Sequence, residues 1–259
     1  MKSLPIAFLS LLSLSQITAC SKSIDDTLIF QSSDKQGHTA PTMATIKTNQ
    51  QVTETLPFEN QQDFIDAKRG LIASLDSLVT QNEAGENVWD MDAYKFIEYN
   101  GIDGEAPSSV NPSLWRQASL NNIHGLFKVK EGIYQLRGFD LANMTLIEGN
   151  KGWIVVDPLT SKETAKMAFD FAQKHLGQKP ISAILFTHSH IDHFGGIKGI
   201  MKDMSDADKK QLRIIAPEGF MEEATSENII AGVAMSRRAM FRYGKRLQRS
   251  ERGHVGTGL

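Results

Sequence analysis

Thr187-His188-Ser189-His190-Ile191-Asp192-His193 follows directly on the apolar run 181–186 and precedes Gly195-Gly196. The run is short and mostly apolar, the pattern of a buried strand. Alternate residues of an extended chain point the same way, so His188 and His190 can face one ion where the strand runs out. Asp192 and His193 lie beyond, where the chain must turn, and the paired glycines let it bend tightly into a helix. Imidazole and carboxylate without thiolate suit Zn²⁺ or a similar borderline divalent ion. Two such ions side by side clamp a substrate oxygen and generate hydroxide at neutral pH. Three unrelated loop histidines are the bland alternative, and the strand before and glycines after argue against it.

Outward from this point the pattern alternates. Residues 126–137 read as one or two strands broken at Lys130-Glu131-Gly132, and 144–148 with 153–156 as a hairpin turning at 149–152. A helix is predicted over 160–176, where Ala165, Ala168, Phe169, Ala172 and Leu176 share a face and Gly177 ends it. A strand is predicted at 212–216, a helix opened by Pro217, and a mostly helical stretch over 224–249. Upstream, Phe64, Ala67, Leu71, Leu75 and Leu78 recur at helical steps, predicting a helix over about 60–79. Residues 21–57 are polar and read as a tether, and 101–112 as a loop. Strands alternating with helices make the chain α/β.

The net charge of −2 across 259 residues offers no case for nucleic-acid binding. Basic residues do gather late, at Arg237, Arg238, Arg242, Lys245, Arg246, Arg249 and Arg252, either as a solvated helix face or as a surface that attracts anions. Lys2 and the apolar stretch 4–14 make residues 1–20 a leader, too short to span a membrane as a mature helix. Ile17-Thr18-Ala19-Cys20 resembles a bacterial lipobox, which predicts lipidation of Cys20 and a membrane tether. Ser21 after the Cys resembles the sorting preference of outer-membrane rather than inner-membrane lipoproteins, which implies an outer-membrane or periplasmic location. Cys20 is the single cysteine, so it has no disulfide partner. The domains read as leader 1–20, extension 21–120 and metal-binding domain 121–259.

The segment His188-x-His190-x-Asp192-His193 after an apolar strand resembles the signature of the metallo-β-lactamase superfamily. Three further stretches resemble its alkyl sulfatase branch. They are Arg137 through Thr145, Trp153 through Thr160, and Glu227-Asn228-Ile229-Ile230-Ala231-Gly232 with Ala234-Met235-Ser236-Arg237-Arg238-Ala239. The resemblance spans about 60–259. It implies the N-terminal half of an αββα sandwich, with His188 and His190 on a first Zn²⁺ and Asp192 and His193 on a second. It implies attack of zinc-activated water on a small anionic amphiphile, an alkyl sulfate, releasing alcohol and sulfate. Asp157, at the end of its strand, is expected to support the site by hydrogen bonds. Arg237 and Arg238 are candidates for the anionic head group, and Asn228 with Glu227 for the substrate approach. Glu227 equally suits a helix N-terminus.

Family members are several hundred residues longer, with further acidic and His ligands, a dimerisation region and a lipid-carrier-like domain. The resemblance therefore implies a homodimer for the full-length protein, and an isolated 259-residue chain that is inactive and aggregation-prone. Of the other histidines, His38 lies in the polar arm and His124 before the first strand. His175 suits a helix C-terminus, and His254 reads as a loop residue rather than a ligand. Two other readings stay open: another hydrolase of the same fold (lactonase, thioesterase or β-lactamase), or a non-catalytic, membrane-tethered metal-binding remnant.

Overall fold

The computed structural model describes residues 37–99, 105–244 and 246–256. Cys20, the leader 1–20 and residues 21–36 of the polar arm lie outside the described residues, as does Lys245. The chain begins with α1 (Met43–Thr55), α2 (Gln62–Ala67), β1 (Leu71–Ala73), the hairpin β2 (Val79–Gln81) and β3 (Asn87–Asp90), α3 (Lys95–Tyr99) and α4 (Pro112–Asn121). It continues through β4 (Gly125–Lys130), β5 (Ile133–Arg137), β6 (Met144–Gly149), β7 (Gly152–Val156), α5 (Lys162–Leu176) and β8 (Ile181–Leu185). Three short helices follow, α6 (Ile191–Phe194), α7 (Ile197–Ile200) and α8 (Asp206–Gln211), then β9 (Arg213–Ile215), α9 (Phe220–Thr225), a π-turn (Ser226–Ile230) and α10 (Gly232–Arg242).

Seven strands form one mixed sheet in the order β1-β4-β5-β6-β7-β8-β9. It is antiparallel from β1 through β7 and parallel from β7 through β9. Parallel neighbours need a long crossover, and α5 supplies the one between β7 and β8. Ser161 caps α5 by accepting from the Thr164 N–H at 3.1 Å. Its Ala165, Ala168, Phe169, Phe171 and Ala172 are buried with Trp153, Val155 and Ile184 of the sheet in one core. Each large apolar side chain contributes about 1.5–3 kcal/mol by such burial. Parallel strands ending together put the β7 and β8 loops side by side, the place where open α/β sheets bind ligands.

The helix expected over 60–79 is not there. Its residues form α2, a break at Gly70, β1 and the start of β2. Gly70 has φ +75°, and a Cβ there would lie 2.1 Å from the Lys128 carbonyl oxygen. Its own carbonyl accepts from Lys128 N–H at 2.7 Å, which joins the chain to the edge of β4. Strand pairing with a distant partner outweighs the local helical spacing.

The boundary expected near residue 120 is also absent. Pro41–Leu259 forms one compact unit, because β1 joins the main sheet and Leu78 is fully buried in the main core. Within the expected tether, Met43–Thr55 is helical, capped by the Thr42 hydroxyl, with no buried residue. The loop expected over 101–112 gives way to α4 at Pro112, capped by the Asn111 side chain. Its Trp115 and Ala118 form a second core with Ile97, Val110 and Val255.

Pro217 does not open a helix: it sits in the turn before Gly219, whose left-handed backbone caps α9. The helical stretch expected to reach 249 ends at Arg242, ahead of Gly244 at φ +57°. Around α9 and α10, Met221, Ile229, Ile230, Val233 and Phe241 are exposed. Among the described residues no helix is long and apolar enough to cross a membrane.

Candidate metal centre

β8 ends at Leu185, and the next residues fold back through α6 to the paired glycines. The fold-back is held against the β7–α5 loop. Gly196 N–H donates to the Leu159 carbonyl at 2.8 Å. A Cβ on Gly196 would lie 2.2 Å from the Pro158 carbonyl oxygen and 2.5 Å from that of Ser161. Only glycine allows that approach, although its own φ is ordinary. On the facing loop Asp157 and Leu159 both adopt positive φ, at 55° and 63°. Such backbone costs on the order of 1 kcal/mol or more per residue and persists only where its surroundings enforce it.

Asp157 is the centre of the arrangement. It is buried, and its Oδ1 accepts from Thr187 N–H at 2.8 Å. Its Oδ2 accepts from the Thr187 hydroxyl at 2.7 Å and from His193 Nδ1 at 2.8 Å. The carboxylate has no proton to give, so His193 carries its proton on Nδ1. The Thr187 hydroxyl spends its single proton on Asp157. It must therefore accept from His188 Nδ1, 3.0 Å away. One carboxylate thus sets the tautomer of two histidines and leaves both Nε2 atoms as lone-pair donors.

The imidazoles are close: the His188 ring centre is 4.6 Å from that of His190 and 4.0 Å from that of His193. Burial lowers the His188 pKa first, and the neighbouring His193 and His190 lower it further, partly offset by Asp157 and Asp192. Neutral imidazole is the form that binds metal. His193 Nε2 lies 3.2 Å from Asp192 Oδ2, and His190 Nε2 lies 3.4 Å from Glu227 Oε1. A bare Nε2 and a carboxylate oxygen at 3.2 Å are two acceptors face to face, and a cation, either a proton or a metal ion, reconciles them. Among the described residues no group of three His, Cys, Asp or Glu converges on a single point as a finished cage. The donor chemistry fits a divalent ion, while the donors as posed bond to one another.

Other candidates lie elsewhere. Arg237 and Arg238 are exposed on α10 and make no ion pair with the cluster among the described residues. Asn228 spends its side-chain amide on the Ala224 carbonyl, 2.8 Å away. His254 Nδ1 meets the Tyr94 hydroxyl at 3.0 Å, and burial together with Arg249 lowers its pKa. His124 lies against the Asn122 and Leu75 carbonyls at 2.9 Å each. His175, in the last turn of α5, packs on Phe171.

Two residues escaped sequence reasoning. Thr187 stands in the quoted stretch, and its signal was a hydroxyl between the strand end and the first His. Asp140 stands in Phe139-Asp140-Leu141, buried, and accepts from Leu141 N–H at 2.6 Å and Thr160 N–H at 3.1 Å. It also accepts from the Thr160 hydroxyl at 2.6 Å and from the Thr164 hydroxyl. It ties the β5–β6 loop to the start of α5.

Residues 137–203, which hold this whole arrangement except Glu227, match the pattern of the metallo-beta-lactamase superfamily. A linear primary-alkylsulfatase of Pseudomonas sp is 46% identical over 219 residues, 84% of this chain and 32% of the relative. An alkyl/aryl-sulfatase of Saccharomyces cerevisiae is 46% identical over 83% of this chain and 33% of its own length. Among solved structures, the stereoselective inverting sec-alkylsulfatase from Pseudomonas sp. aligns with a TM-score of 0.76 and 47% identity, over 84% of this chain and 33% of that one. The chain spans about a third of the length of the curated relatives it matches. Over the part that aligns, the chain is similar to alkylsulfatases, and its residues 137–203 carry the metallo-β-lactamase superfamily pattern.

Proposed function

We propose that the chain is part of a zinc-dependent hydrolase of alkyl sulfate esters that releases an alcohol and sulfate. The observation that carries this reading is the Asp157 carboxylate, which fixes the tautomers of His188 and His193 and leaves the His193 Nε2 lone pair 3.2 Å from Asp192 Oδ2. Similarity to alkylsulfatases over 84% of the chain supports the substrate class. His188, His190, Asp192 and His193 would hold the metal. When bound, zinc supplies a water acidic enough to act near neutral pH and stabilises charge on sulfate oxygens. The protein's own contribution is orientation. Asp157 and Thr187 lock two rings, the Gly196 turn brings α6 against the β7–α5 loop, and Glu227 restrains His190. Arg237 and Arg238 are proposed to draw in the sulfate head group, which guanidinium can bind bidentately.

The test is made on the full-length protein expressed from its gene, with zinc content and product release measured together. Retained zinc and sulfate release from dodecyl sulfate, lost on chelation and in His188→Ala, are expected. Turnover of a lactam, lactone or thioester with no sulfate release would replace the reading with another hydrolase of this fold. Less than one tightly bound metal per chain and no turnover would leave a non-catalytic remnant.

Export as a lipoprotein tethered through Cys20 is proposed on the lipobox-like Ile17-Thr18-Ala19-Cys20. Radiolabelled palmitate is expected to enter the protein in a bacterial host and to be lost in Cys20→Ser. Equal labelling of both would sink the tether.

A further inference from the structure

α5 carries Lys162, Lys166, Asp170 and Lys174 at four-residue steps, so they form one stripe along its outer face. Lys198 in α7 and Lys202 just after it form a second, shorter stripe. Between these stripes and the β2–β3 hairpin lies an open groove of about 830 Å³. That volume falls within the range of sites that hold small molecules. The groove shares no residue with the histidine cluster.

Its wall includes Leu75, Val79, Met167 and Phe171, which give an apolar floor. Five lysines and three carboxylates line it as well. Two of the lysines are committed. Lys162 pairs with Glu83 at 3.3 Å and Glu163 at 3.6 Å, and Lys166 with Asp170 at 3.0 Å and Asp203 at 2.8 Å. Lys174, Lys198 and Lys202 are exposed and form no ion pair among the described residues, although Lys202 helps Lys166 to hold the neighbouring Asp203 carboxyl low. Uncommitted ammonium groups over a hydrocarbon floor complement a molecule with one anionic end and one long apolar end. A free inorganic anion would leave the floor wet. A neutral alcohol would leave the lysines without a partner.

We propose that this groove binds a monomeric single-chain anionic amphiphile, a fatty-acid carboxylate or alkyl sulfate. Its chain lies along Leu75, Val79, Met167 and Phe171, and its head group is held by Lys174, Lys198 and Lys202. Binding here requires no turnover, so it stands apart from the hydrolase reading. Laurate below its micelle concentration is the probe, titrated calorimetrically into the intact chain. Saturable binding of one laurate is expected, weakened on the order of tenfold in Lys174→Ala/Lys198→Ala/Lys202→Ala, the size of a few screened charge contacts. All three positions are exposed, so the thermal midpoint of that variant is expected to stay unchanged. Lys198→Glu alone moves affinity in the same direction. Dodecanol and inorganic sulfate are expected to bind far more weakly than laurate. Equal laurate affinity in the wild-type and triple variant overturns the proposal. So does recruitment to anionic vesicles without binding of monomeric laurate. Loss of laurate binding in His188→Ala/His190→Ala, with the lysine variant unaffected, places the ligand in the histidine cluster and overturns it too.

Discussion

Asp157→Asn is expected to weaken divalent-metal binding by about 10- to 100-fold, the usual cost of removing a carboxylate that orients a ligating histidine. The substitution is chosen for its backbone. Asp157 sits at φ 55°, and asparagine tolerates that region while alanine is strained there. The amide oxygen can still accept from Thr187 N–H. The amide nitrogen, however, would face His193 Nδ1 and the Thr187 hydroxyl, both of which donate to Asp157 Oδ2. At least one of the rings must then change tautomer or turn, and its Nε2 lone pair is lost to the metal. Calorimetric zinc titration of the two proteins measures this directly. Asp157→Ala removes the same acceptors and adds backbone strain, so it is expected to lose about 1 kcal/mol more stability than Asp157→Asn. Undiminished zinc affinity in Asp157→Asn would mean that the tautomers are not set by this carboxylate.

Asp140→Ala is expected to lower folding stability by about 3 kcal/mol, because it removes the shared acceptor of one buried and three part-buried donors. The donors are the Thr160 N–H and hydroxyl, the Thr164 hydroxyl and the Leu141 N–H. For a domain of this size the thermal midpoint should fall by roughly 10 °C. The neighbouring Leu141 is half-exposed, so Leu141→Ala is the control, with an effect within about 0.5 kcal/mol. Thermal denaturation followed by circular dichroism separates the two. Equal midpoints would show that water replaces the lost carboxylate at no cost.

The parts of the fold that could be read from the sequence are those whose cause is local. The β6–β7 hairpin and β8 are short, mostly apolar runs bounded by turn residues, and α5 has both an apolar face and a cap written beside it. The cluster was legible for the same reason, since its donors lie within one loop. The misreading of 60–79 had a nonlocal cause. Its apolar spacing satisfies a helix, yet Leu71–Ala73 pairs with β4, whose matching residues lie more than fifty positions on. Asp140 escaped because its meaning depends on Thr160 and Thr164. The domain boundary failed because Leu78, in a stretch read as extension, is buried in the main core. The closeness of Glu227 to His190 could not be read, because it follows from how the π-turn leaves α9.

That π-turn acts as a phase shifter. A widened turn holds one more residue than the helix around it requires, so the residues after it are rotated about the axis by one residue's step, about 100°. Glu227 lies inside the widened turn and Arg237 and Arg238 beyond it. Shortening Ser226–Ile230 by one residue would close the turn into ordinary helix without touching the sheet. It would swing the guanidinium face of α10 to a new heading while the histidines stayed put. In this protein the azimuth of a cationic face and the position of the histidine cluster are therefore separate variables, adjustable by different kinds of change: a single insertion or deletion for one, substitution for the other.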